Sequence, residues 1–168
     1  MMKQYPNDTE LHRITKKEIT LKSRDNARTP MQWDKTKYGG FSSSKPWQKE
    51  NESYEAINAE SQVGVKGSVF EHWAEVLRLR KSHKDIFIYG DFKLLDLAHN
   101  DVFAYTRTFG EERAIVVANF RKTNVTWTIP EGLVFKEDRI LISNYGGFSL
   151  KGGQVELRPF EAFACSLT

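Results

Sequence analysis

The densest run of chemically capable side chains is Ser23-Arg24-Asp25-Asn26-Ala27-Arg28-Thr29-Pro30-Met31-Gln32-Trp33, in which two arginines bracket an Asp-Asn pair and a tryptophan follows. Forked guanidinium and amide groups bond adjacent hydroxyls, a carboxylate accepts from them, and an indole covers the apolar face of a ring. That combination suits a sugar. The same residues could equally pin the loop by an internal salt bridge, and composition alone does not separate the two readings.

Other reactive groups are weaker candidates. Glu111-Glu112 and Glu137-Asp138 fall in predicted turns, whereas a catalytic pair of carboxyls has to be held across a cleft, about 5 Å apart. His12, His72, His83 and His99 are dispersed without HxH or HExxH spacing and without a second cysteine, so no metal site, calcium included, and no cofactor is expected. Cys165 is the one cysteine. It excludes an intrachain disulfide and fits a reducing, cytoplasmic compartment. Within FEAFACSL it reads as a small strand residue, with no histidine close in sequence to activate it.

The elements that must position these groups change character along the chain. Residues 1–22 carry Leu11, Ile14, Ile19 and Leu21 in a polar background, which predicts at best a short helix from about Asp8 to Lys17. From 23 to 67 there is no periodicity, yet Met31, Trp33, Tyr38, Phe41, Trp47, Tyr54 and Ile57 are too much apolar surface for a disordered linker. Ser68 with Glu71 three positions on is a capping box, and Val69, Phe70, Trp73, Val76, Leu77 and Arg80 recur at helical spacing. After Asp85, strands are predicted at IFIY (86), FKLLDL (92), VFAYTRTF (102), AIVVANF (114), VTWTI (125), RILIS (139), QVEL (154) and FEAFACSL (160). Turn residues separate them at regular intervals, the pattern of an antiparallel sandwich.

The net charge is +3 over 168 residues, and residues 1–50 hold 11 Lys/Arg against 6 Asp/Glu. These cations are scattered among Thr, Asn, Asp and Pro instead of clustering on one face, so no nucleic-acid partner is expected. Nowhere do eighteen apolar residues run together and the opening is polar, so neither membrane insertion nor export is expected.

SRDNARTPMQW followed by GGF and SKPW resembles the segment that family 13 oligo-α-glucosidases, the maltase, isomaltase and oligo-1,6-glucosidase group, carry after barrel strand eight. VLRLRKSHKDIFIYGDF resembles their last barrel helix, and NYGG with LRPFEAFACSL resembles the end of their C-terminal sandwich. The resemblance implies a mixed fold: residues 23–84 as the tail of a (β/α)8 barrel, loop plus last helix, and 85–168 as an all-β antiparallel sandwich. It implies a retaining α-glucosidase with an Asp nucleophile, a Glu acid/base and a second Asp at barrel strands four, five and seven, motifs with no counterpart in this sequence. It assigns Arg28 to the non-reducing-end glucose of a small α-glucoside, with an acidic companion from an early barrel loop, and Arg24, Asp25 and Asn26 to loop support. The chain by itself is then expected to be inactive, with self-association through the exposed barrel-facing surface. The alternative is a non-catalytic module that binds glucosides or docks on a protein.

Overall fold

The computed structural model describes residues 8–134 and 136–167; the beginning of the 1–22 segment and the Asn26 side chain lie outside the described residues. The chain forms two compact units, Met1–Phe70 and Glu71–Thr168.

In the first unit, helix α1 (Thr9–Lys22) runs beyond the expected stop at Lys17. Asp8 caps it by accepting the Leu11 N–H at 2.8 Å, and Glu10 in the first turn and Lys22 in the last complement its dipole. Ion pairs Glu10–Arg13 and Glu18–Lys22 lie one turn apart on its surface. None of its residues is buried. The expected aperiodic stretch contains short 3-10 turns at Arg24–Ala27, Lys37–Gly40 and Glu52–Glu55. Its order comes from polar braces. The Trp33 and Asp34 N–H groups both donate to Gly39 O, at 2.7 and 3.2 Å, and the Ala59 and Glu60 N–H groups donate to the carbonyls of Gln32 and Trp33, at 2.9 Å each. Gly40 sits at φ +67° with the Asp34 carboxylate against it, where an added Cβ would lie 2.4 Å from Oδ2. Only glycine fits there.

Helix α2 (Val69–Ser82), which from Glu71 onward belongs to the second unit, passes into a π turn, Asp85–Tyr89, and then into eight strands. These are β1 (Asp91–Leu95), β2 (Val102–Phe109), β3 (Glu112–Asn119), β4 (Val125–Thr128), β5 (Ile140–Ser143), β6 (Ser149–Lys151), β7 (Gln154–Leu157) and β8 (Ala162–Ser166). They pair antiparallel in two sheets, of order β1-β2-β3-β8-β5 and β4-β7-β6. Alternate residues point inward, as in β2, where Val102, Ala104 and Thr106 are buried and their neighbours are not. Ile115, Val117 and Phe163 from the first sheet close on Trp127, Val155 and Leu157 from the second. The result is the expected antiparallel sandwich.

Two strand assignments change. Residues 86–89 form the π turn instead of a strand, because no breaker follows α2 and the chain keeps coiling, with Phe87 N–H donating to His83 O at 2.9 Å. The carbonyls of Ile86 and Ile88 are taken by Nε and Nη2 of Arg107 from β2, at 3.1 and 3.3 Å. Gly90 then releases the chain into β1 where a Cβ would meet Ile86 O at 2.5 Å and Thr108 O at 2.9 Å. The second change is β6, whose three residues are too short to show alternation and form by pairing with β7. β8 begins at Ala162 because Phe160, at φ +54°, turns the chain before it, with Glu161 N–H donating to Arg158 O at 3.1 Å.

Trp127 is fully buried and its Nε1–H has no hydrogen-bond partner among the described residues. Trp127→Phe removes that donor while keeping most of the ring, so it should cost about 1–2 kcal/mol, against about 3–5 kcal/mol for Trp127→Ala. Urea unfolding followed by circular dichroism separates the two; equal losses would contradict the packing described.

Candidate functional site

The arginine-rich loop opens at Ser23, where α1 ends with the Ser23 N–H on Ile19 O at 2.7 Å. The Ser23 hydroxyl accepts the Asp25 N–H at 3.2 Å, and the Arg28 N–H closes the turn on Asp25 O at 3.1 Å. Backbone and Ser23 thus shape the turn. The side chains of Arg24, Asp25 and Arg28 are exposed and make no hydrogen bond or ion pair to a described residue. The internal salt bridge that the composition allowed is therefore not formed between these groups within the described residues.

Past Arg28 the loop becomes rigid. Pro30 is buried, and Gln32 Nε2 donates to Ile57 O. Residues 57–62 are themselves held by Asn58, a buried amide with both ends satisfied: it donates to Tyr54 O at 2.8 Å and accepts the Ser61 N–H at 2.9 Å. Gln62 then reaches the start of α2, its carbonyl accepting the Ser68 hydroxyl at 2.8 Å and its Oε1 accepting the Phe70 N–H at 3.2 Å. That bond takes one of the orphaned N–H groups of the first helical turn. An open groove of about 360 Å³ runs between Pro30, Met31, Ile57 and Phe70. Met31, Trp33, Phe41 and Trp47 of this unit stay exposed, Trp47 by 85 %. Asn58 and Gln62 have no motif-level signal, since their roles depend on carbonyls that only the fold brings near.

The acid candidates are placed apart from this loop in the chain: Glu111 lies in the turn before β3, and Glu137 and Asp138 lie in a 3-10 turn before β5. Asp34 is a carboxylate of the loop with a displaced titration. The Thr36 hydroxyl, and then the Thr36 N–H, hold its pKa below the usual value. Cys165 is buried, its Sγ–H directed at Lys136 O at 3.3 Å, and burial raises its pKa, so it stays a protonated thiol at neutral pH. Among the described residues no three His, Cys, Asp or Glu side chains come together as a metal site, and no helix is long and apolar enough to cross a membrane.

The chain belongs to the alpha-amylase family: residues 1–90 match the alpha-amylase catalytic domain and residues 102–163 match the alpha-amylase SusG C-terminal domain. Among curated relatives, the oligo-1,6-glucosidase of Bacillus cereus is 38% identical over 152 residues, covering 89% of this chain and 26% of that protein. The oligo-1,6-glucosidase of Parageobacillus thermoglucosidasius is 39% identical over 147 residues, covering 86% and 26%. The isomaltulose synthase SmuA of Protaminobacter rubrum superposes with a TM-score of 0.80 at 36% identity, over 87% of this chain and 26% of that one. The chain thus spans about a quarter of the length of the relatives it matches.

The Asn58 brace makes a testable claim about the loop. Asn58→Ala leaves Tyr54 O and Ser61 N–H without their partner and should raise the rate of proteolytic cutting in residues 52–62 by roughly five- to tenfold. Mass mapping of limited digests reads the effect; an unchanged rate would remove Asn58 from the brace.

Proposed function

We propose that this chain is the C-terminal part of a cytoplasmic retaining α-glucosidase of the maltase and isomaltase type, acting on α-glucosidic bonds of small oligosaccharides. Residues 23–84 supply the last barrel loop and helix, and 85–168 the sandwich. In this reading Arg28 binds the non-reducing-end glucose, and Arg24 and Asp25 steady the loop against groups of the barrel. The observation that carries it is Arg28 itself: a guanidinium on a backbone braced from Gln32 to Phe70, with no partner among the described residues to occupy its donors. A bidentate donor held in this way is matched to vicinal hydroxyls and gains from a carboxylate companion. Among relatives, a trehalose-6-phosphate hydrolase of Bacillus subtilis, 35% identical over 153 residues, stands beside the oligo-1,6-glucosidases.

The chain by itself is inactive in this proposal, because it has no counterpart of the three carboxylate motifs. Purified protein should show no turnover of maltose, isomaltose or p-nitrophenyl α-glucoside. Grafting residues 23–168 onto the remaining part of the Bacillus cereus oligo-1,6-glucosidase should give a hydrolase in which Arg28→Ala lowers kcat/KM roughly 10²- to 10³-fold. Turnover by the isolated chain, or a folded chimera indifferent to Arg28→Ala, would overturn the assignment.

A second reading, self-association through the barrel-facing surface, is favoured by one feature of α2. The helix turns His72, Val76 and Leu79 toward a groove of about 290 Å³ on the five-stranded sheet, yet Val69, Phe70, Trp73 and Leu77 on another face are exposed, Trp73 by 62 %. A helix apolar on two faces is a helix meant to be covered on both. Light scattering behind size-exclusion chromatography should find oligomers of the isolated chain, and the double variant Trp73→Glu, Leu77→Glu should shift them to monomer. A monomeric parent chain would refute this reading.

A further inference from the structure

The sandwich carries a second polar concavity that the glucosidase reading does not use. On the outer face of the three-stranded sheet, Glu156 of β7 pairs with Thr126 of β4 on one side and Ser149 of β6 on the other. Tyr145, Gly146, Gly147 and Arg158 wall an open cleft of about 500 Å³ beside them, with Asn124 and Glu137 on its rim.

The wall is preorganised from beneath. Glu161 is fully buried and accepts Nε–H and Nη2–H of Arg158 at 2.9 and 2.7 Å. Arg158 Nη2 also donates to Gly147 O at 2.5 Å, and its guanidinium lies 4.2 Å over the Tyr145 ring. The Tyr145 hydroxyl is held in turn on Pro159 O at 2.9 Å. These contacts use Nε and Nη2 and leave Nη1 of Arg158 for a ligand. The side chains of Asn124 and Glu156 make no hydrogen bond to a described residue.

The charge pattern selects the ligand class. Buried Glu161 already balances Arg158, and Glu137 and Glu156 add negative charge, so an anion is repelled. An apolar guest would leave the polar lining unpaired. A neutral ring bearing several hydroxyls meets each group with its complement: donors on Arg158 and Asn124, acceptors on Glu156 and Ser149, and bare glycine backbone under the ring. We propose that this cleft is a binding site for a neutral pyranoside, separate from Arg28. Only the choice of glucosides as probes rests on the function proposed above.

The test is an amide NMR titration of the full 168-residue chain with maltose and with methyl α-glucoside. Saturable shifts are expected at Gly146, Gly147, Ser149 and the Asn124 side chain, with Kd on the order of millimolar. An added Cβ at Gly147 meets nothing within 4 Å, so Gly147→Leu should fold and project into the cleft, weakening binding by roughly fivefold or more. Glu156→Ala should weaken it by roughly fivefold, and Arg28→Ala should leave it unchanged. Absence of saturable shifts, equal shifts with glycerol, or larger shifts with inorganic phosphate would overturn the proposal. So would binding lost with Arg28→Ala and kept with Gly147→Leu, which would move the sugar to the arginine loop. The grafted enzyme reads Arg28 independently of these outcomes.

Discussion

The second unit depends on one packing event, the closure of two antiparallel sheets around Trp127. Alternate side chains of β2, β3 and β8 must all face the same way to meet Val155 and Leu157 from the opposite sheet. A one-residue slip in any strand would expose its apolar set and bury its polar one, so register follows from burial. Other features inherit their positions from this closure. Cys165 is a core residue because β8 is the inner neighbour of β3, and Glu161 is buried because it immediately precedes β8. A carboxylate in that position is stable only with its donors in place, and Arg158 supplies them from three residues away.

The first unit is built on a different principle. Buried residues in its loop are Pro30, Gly39 and Asn58, and order comes from main-chain carbonyls that accept from side chains and amides far off in sequence. Such a scaffold holds a backbone well while leaving rings such as Trp33 and Trp47 outside. The arginine at position 28 is thereby carried on a firm base without being consumed by it. A side chain already engaged in an internal ion pair would have to give that pair up before meeting a ligand.

Much of this was legible from residue types. The strands VFAYTRTF, AIVVANF and QVEL follow from short β-prone runs bounded by turn residues, which is a local property and needs no knowledge of partners. The arginine loop and its likeness to family 13 glucosidases were legible because that stretch is distinctive letter by letter. IFIY was misread for an equally physical reason: four β-prone residues form a π turn when an arginine from a distant strand donates to two of their carbonyls. Strand β6 was invisible because three residues cannot express a period. The roles of Asn58 and Gln62 were hidden too, since nothing in their neighbours announces which carbonyl or amide they will meet.

By itself, then, the sequence determined the family, α2 and every strand but β6, and the candidacy of Arg28, all of which are written in residue identity and short-range spacing. Tertiary structure alone decided that Arg28 has no partner among the described residues while Arg158 is locked to Glu161, although both are arginines near a carboxylate in the chain. It also decided that α2 shows two apolar faces and that Tyr145, Gly147 and Glu156 share one cleft. The reason is the range of the forces: propensity and periodicity act over a few residues, whereas burial, ion pairing and cavity shape depend on which distant segments the closing sheets bring together.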